Sequence, residues 1–277
     1  MTPMFWIGIF FSFFFGTAIG SFLNVVIWRL PRGESITGRS HCAHCRVQLR
    51  ALQLIPLVSY LALGRRCASC GRAISSRYFA IELIMGLLFV LVWLAVQPVA
   101  AAGYILLIRD LVAVSLLITV FAIDLEHFLI LDKIVFSGWV AVTVFNFIID
   151  RFNGAPLLSV HSLAAGGLWA GLLLGGFFFA LWCGSKLWYG RTGLWMGLGD
   201  AKFALLLGAI AGWPLILVNA LLAFVIGAVF SVGWLLSGTK QLKTAVPFGT
   251  FLAAAAFVTM LYGGQLWTWY LHLLGWQ

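Results

Sequence analysis

Two aspartates and four cysteines carry most of the chemistry this sequence can offer. Asp200 sits in Gly197-Leu198-Gly199-Asp200, a glycine-flanked carboxylate that opens an apolar stretch reaching Ile210, and Asp124 closes another in Phe121-Ala122-Ile123-Asp124. A carboxylate at the edge of an apolar segment is costly to keep from water, so it is a candidate for function. Two carboxyls that meet resist double ionisation and form an acid and a base in one pair. The ionised partner takes a proton from water while the protonated one polarises a scissile carbonyl, which is the chemistry of aspartic proteolysis. A helix N-terminus favours an anion and a C-terminus disfavours one, so helix polarity makes Asp200 the base and Asp124 the acid. Gly197 and Gly199 carry no Cβ and would let a substrate backbone lie beside Asp200. The competing reading of each aspartate is a boundary residue in water, capping a helix or pairing with a charge.

The cysteines form two pairs, Cys42-Ala43-His44-Cys45 and Cys67-Ala68-Ser69-Cys70, separated by 21 residues. Each C-x-x-C knuckle can put two thiolates on one ion, and four complete a closed tetrahedral zinc site. Two disulfides are the alternative, disfavoured on the reducing side of a membrane. Four cysteines suffice, which leaves His41 and His44 as spare neighbours, and Cys183 reads as a small packed residue.

The elements that must position these groups are transmembrane helices. Of 277 residues 63% are hydrophobic and only 9% charged, which places the chain outside soluble globular domains and makes it an all-α polytopic membrane protein. Apolar runs mark about eight spans, near 4–28, 78–96, 103–123, 134–149, 160–183, 200–213, 215–236 and 246–270. The first lacks a preceding basic segment and is read as a retained helix rather than a signal peptide. The sixth is short for a crossing unless Trp213 and Pro214 lie at the far surface.

Net charge is +9, but the basic residues are parted by apolar spans and lack an interleaved aromatic platform, so no nucleic acid is expected. The positive-inside rule accounts for them: Arg29 to Arg77, Lys133, Lys186, Arg191, Lys202, Lys240 and Lys243 fall on one side, the cytoplasmic one, and only Arg109 and Arg151 on the other. Two crossings then separate Asp124 from Asp200, which returns both to the cytoplasmic face. Among the remaining charges, Asp132 beside Lys133 reads as a boundary ion pair, and Arg109-Asp110 and Asp150-Arg151 as outer-surface or snorkelling charges. His127 reads as solvated. Glu82 lies a turn inside the second span, facing a partner such as Arg77 or a second site. Leu52 to Leu63 is too short to cross and reads as an interfacial helix. No internal repeat is evident.

At these residues the sequence resembles the type IV prepilin peptidases, bifunctional leader peptidases and N-methyltransferases of bacterial pilus and type II secretion systems. The resemblance runs through Gly20-Ser21-Phe22-Leu23-Asn24, Arg29-Leu30-Pro31, both cysteine pairs, Ile55-Pro56-Leu57, Glu82-Leu83, Ile123-Asp124, Gly197 to Asp200 with Lys202, and Pro247-Phe248-Gly249. It implies that Asp124 and Asp200 are the catalytic pair. It also implies prepilin or pseudopilin substrates, cut after a glycine between a short basic leader and a hydrophobic helix, and methylation of the new amino terminus from S-adenosylmethionine. One departure is Leu131-Asp132, where many relatives carry proline before this aspartate.

The expected organisation is a first helix at 1–28, a cytoplasmic four-cysteine zinc module at 29–77 and a membrane aspartic peptidase domain at 78–277, embedded in the lipid bilayer of the bacterial inner membrane. No Rossmann-type glycine fingerprint is present, and Glu82, Gly20 and Asn24 are the candidates for the methyltransferase site. The alternative function is an ion- or proton-coupled transporter, which would place its carboxylates at the bilayer midplane.

Overall fold

The computed structural model describes residues 3–156, 158–189, 197–237 and 247–275. Arg191, Lys240 and Lys243 lie outside them. A backbone in hydrocarbon must bond to itself, and the apolar runs fold accordingly as helices. In chain order these are α1 (Pro3–Arg29), α2 (Val58–Ala62), α3 (Ser76–Val96), α4 (Ala101–His127), α5 (Asp132–Phe152), α6 (Leu163–Tyr189), α7 (Leu198–Ala211), α8 (Leu215–Leu236) and α9 (Phe248–Leu273). Seven of them, all but α2 and α7, are long and apolar enough to cross a membrane. The 14 residues of α7 reach only ~21 Å, short of a ~30 Å hydrocarbon core.

The chain divides into two compact units, Met1–Gln97 and Pro98–Gln277. In the first, α1 lies against α3, and small residues permit the approach. A Cβ on Gly16 would stand 2.6 Å from the Met85 carbonyl oxygen, and one on Gly20 would stand 2.8 Å from the Glu82 Cα. In the second unit α4 packs on α5 and α9, while α7 packs on α5, α6 and α9. Gly167, Gly171 and Gly175 form a stripe along α6 that faces α7, where a Cβ on Gly208 would come 2.1 Å from the Gly171 nitrogen. Such stripes are how helices associate where lipid removes the hydrophobic driving force.

Several expectations are corrected. Residues 52–63 do not form one helix: a 3₁₀ turn at Ala51–Leu54 gives way to α2, because Pro56 and the positive φ of Leu57 (61°) break the run. Arg109 and Asp110 are not surface charges but are both 6% exposed. The Arg109 Nε donates to Asp110 at 2.8 Å and an Nη to Asn146 Oδ1 at 3.0 Å, and Asn146 in turn donates to the Ala209 carbonyl at 2.7 Å. Asp150 is buried too, and accepts the first amides of α6, Leu163 at 2.9 Å and Ala164 at 2.8 Å. The partner of Asp132 is Lys202, at 2.7 Å, on α7.

The α6–α7 contact yields a matched test. Gly208→Ala forces backbone apart and is expected to destabilise by about 1–3 kcal/mol. Gly176→Ala, whose Cβ would meet nothing within 4 Å, is expected to leave stability unchanged. Thermal unfolding of the purified protein in detergent compares the two, and equal midpoints would remove the close packing.

Candidate active site and metal centre

Asp124 lies in the last turn of α4 and Asp200 in the first turn of α7. They are 5% and 7% exposed and within electrostatic reach of each other. The start of α9 completes the site. Its N-cap is Pro247, whose side chain caps nothing, and the open amides are met instead by Asp124, whose Oδ2 accepts the Thr250 N–H at 2.9 Å with the Gly249 amide also donating. Gly249 must be small, because a Cβ there would stand 2.8 Å from that carboxylate oxygen. Ile130, in the loop after α4, fits between the two helix starts: a Cβ on Gly199 would be 3.0 Å from it and one on Gly249 2.9 Å. Gly197 is exposed, and among the described residues a Cβ there would meet only the Gly199 nitrogen, at 3.8 Å, which leaves room for a backbone. The Lys202–Asp132 pair joins α7 to α5 nearby, but with side chains 32% and 55% exposed it is worth only ~0–1 kcal/mol.

Thus Asp124 and Asp200 come together with Gly199, while Asp132 faces Lys202 and His127 lies 3.9 Å from Glu126. Thr250 and Ile130 are neighbours with no part in the sequence reading, and Gly249 enters it only within Pro247-Phe248-Gly249, without a role. Pro247-Phe248-Gly249 was the available signal, a proline one residue before an apolar run marking a helix start.

In the first unit the four cysteine sulfurs lie within 4.8 Å of one another and could hold a metal ion. Four sulfurs at ~2.3 Å from a tetrahedral ion stand ~3.8 Å apart, and Cys42 and Cys70 are 4.0 Å apart. All are free thiols. Amides of Cys70 and Ser69 hydrogen-bond to the Cys67 thiol and bring it down to about 6, which favours the thiolate that binds metal. The two knuckles are one motif used twice. Cys42 N–H donates to Val47 and Cys67 N–H to Arg72, both at 2.9 Å, with antiparallel bridges at His41–Gln48 and Arg66–Ala73. The residue after each knuckle, Arg46 and Gly71, has positive φ (55° and 68°). His41 and His44 turn to Arg29 and Arg72.

Gly20, Asn24 and Glu82 also come together. The Gly20 approach sets the α1 backbone against α3 at Glu82, and Asn24 one turn later donates to the Tyr78 carbonyl at 3.0 Å. Glu82 accepts the Leu57 amide at 2.8 Å. Asn24 and Glu82 line a cavity of about 590 Å³ within this unit, whose wall includes Cys42 and Cys67.

Comparison with known proteins agrees with the two-part organisation. The bacterial peptidase A24 N-terminal domain matches residues 14–96, and the type IV leader peptidase family matches residues 111–232. The chain is similar to proteins named prepilin leader peptidase/N-methyltransferase. That of Aeromonas salmonicida is 32% identical over 97% of this chain and 96% of its own. That of Stutzerimonas stutzeri is 34% identical over 93% and 91%, and that of Pseudomonas aeruginosa 32% identical over 95% and 93%. No solved structure matches. With both family domains in order and relatives aligned along nearly their whole length, the chain belongs to the type IV leader peptidase family.

Proposed function

We propose that this membrane protein removes the leader peptide from prepilins or pseudopilins with Asp124 and Asp200, and then N-methylates the exposed amino terminus. The observation that carries the peptidase reading is the meeting of two buried carboxylates at the adjoining ends of α4 and α7, beside the open start of α9. Ion- or proton-coupled transport is not favoured, since the relatives are named for peptide cleavage and methylation.

The contacts around the dyad support the opposite roles to those that helix polarity alone suggests. Of the two carboxylates Asp124 has the partners for a charge, the α9 amides, and Asp200 beside it keeps the proton. Asp124 takes a proton from water as the hydroxyl oxygen bonds to the scissile carbonyl carbon. Asp200 gives its proton to the carbonyl oxygen, and a tetrahedral diol forms. The C–N bond then breaks, the leaving amine takes the proton from Asp124, and Asp200 recovers its own from the diol. The burial of both carboxylates limits the water that reaches them, which strengthens each of these interactions.

Both activities work at the cytoplasmic face of a bacterial inner membrane in this reading, which the one-sided distribution of lysine and arginine supports. There the leader's positive charges stay in the cytoplasm and the hydrophobic helix of the substrate stays in the bilayer. Cys42, Cys45, Cys67 and Cys70 hold zinc, which when bound closes the two knuckles into one fold. Methyl transfer uses S-adenosylmethionine as the donor.

Asp124→Asn and Asp200→Asn are each expected to lower cleavage of a precursor by about 10²–10⁴-fold, read as the gel shift of the shortened product. Either variant cleaving at the parental rate would sink the dyad. A second expectation concerns the metal. Purified protein should carry about one zinc per chain, and Cys42→Ser or Cys67→Ser should lose both the zinc and the transfer of labelled methyl to the cleaved product. Methylation that persists without zinc would show that the cysteine module is not required for it.

A further inference from the structure

Glu82 is a carboxylate inside an apolar helix, 8% exposed, whose hydrogen bonds come from neutral groups, the Leu57 amide and Ser21. Among the described residues no lysine, arginine or histidine forms an ion pair with it. A buried carboxylate in a membrane helix asks for a cation, and the described residues pair it with none. Asn24, 2% exposed, spends its NH₂ on Tyr78 and leaves Oδ1 without a donor. Such a buried acceptor is a place for a ligand's hydroxyl or amine. Trp28, Tyr60 and Tyr78 add aromatic rings to the same wall. The cavity, about 590 Å³, falls in the ~300–1,000 Å³ range of small-molecule sites.

We propose that this cavity binds the methyl donor, an adenosyl sulfonium, with Glu82 opposite the sulfonium charge, Asn24 taking a donor of the nucleoside, and the rings beside the base. The proposal rests on the methyltransferase reading above and locates it. A sulfonium is a fixed cation with no N–H to offer, so a site can recognise it only through opposite charge and ring faces, and this wall provides both. An anionic nucleotide fits less well: Arg29, the buried guanidinium of the wall, is already committed to the carbonyls of Ser35, Thr37 and Arg39 and to His41, and the wall's other guanidinium, Arg72, is exposed and turned to His44. Cys42 and Cys67 belong to the wall, so a folded metal module is part of the site and its loss opens the cavity.

The charge argument also bears on turnover. The lone pair of the cleaved product's amine forms the N–C bond as the C–S bond breaks, the bonding pair stays on sulfur, and the amine sheds its extra proton to water. Sulfur is then neutral and Glu82 has lost its counter-charge, so the spent thioether is held more weakly than the donor.

Equilibrium binding of S-adenosylmethionine and of S-adenosylhomocysteine, its neutral thioether, reads this directly on the full chain in detergent. Glu82→Gln is expected to weaken the sulfonium by about tenfold or more while changing the thioether by less than about threefold, so that the parental preference collapses. Retained zinc content shows that the variant is folded. A preference unchanged in folded Glu82→Gln overturns the proposal. Photo-crosslinking of labelled donor to the parental protein gives a second measurement that needs no variant. Label in peptides holding Ser21–Arg29, Tyr60 or Tyr78–Glu82 supports the cavity, and label confined elsewhere overturns it while methylation stands. Parental protein that neither binds donor nor methylates product overturns the methyltransferase reading itself, and the cavity proposal with it.

Discussion

A polar group surrounded by hydrocarbon must find its partner inside the chain, and the ends of helices are where unpaired backbone groups wait. The 98–277 unit is organised by that constraint. Asp124 on α4 takes the first amides of α9, Asp150 on α5 takes those of α6, and Asn146 on α5 takes the Ala209 carbonyl near the end of α7. Each pairing answers two costs at once, a buried side chain and an open helix end. Each also fixes one helix against another, so the packing of glycine stripes and apolar faces starts from helices whose ends are already located. The candidate catalytic pair lies at one of these junctions.

The same constraint explains which parts of the molecule could be read from sequence. Apolar runs give the seven long helices and the run at 200–213 only the short α7, and two long helices, α5 and α6, lie between Asp124 and Asp200, because such a helix needs only length and hydropathy. The cysteine pairs announce a metal module through spacing. The end-capping of one helix by another has no such signature, since backbone amides carry no residue identity. Asp150 beside Arg151 and Arg109 beside Asp110 therefore read as outer-surface or snorkelling charges. The close approach that Gly20 gives α1 to α3 at Glu82 likewise has no signature in the sequence. The repeated knuckle was hidden for a related reason: Arg46 holds a left-handed conformation that the matching position gives to Gly71, so the turn recurs while the residue does not.

Magnitudes decide the assignment of acid and base within the proposed dyad. The C-terminal end of α4 disfavours a charge on the buried Asp124 by up to about 2 kcal/mol. Hydrogen bonds from backbone N–H groups to a carboxylate are worth about 1.5–3 kcal/mol each, and Asp124 accepts the Thr250 amide at 2.9 Å with Gly249 adding a second. The direct bonds outweigh the dipole. They belong to α9, far along the chain, so the contacts around Asp124 and the rule applied to α4 in isolation point opposite ways.

Asp200 depends on a longer chain of contacts. It sits on α7, a helix too short to be held by lipid at both surfaces, and α5 holds that helix at two points. One is the Asp132–Lys202 pair near the N-terminal turn, exposed and therefore weak. The other is the Asn146 bond to Ala209, buried and backed by Arg109 and Asp110. Unpairing a buried partner costs several kcal/mol, against ~1 kcal/mol at most for the exposed pair. The network at the far end of α7 is therefore the stronger of the two restraints on where Asp200 stands. The missing proline at Leu131, which touches only the weaker one, leaves that restraint intact.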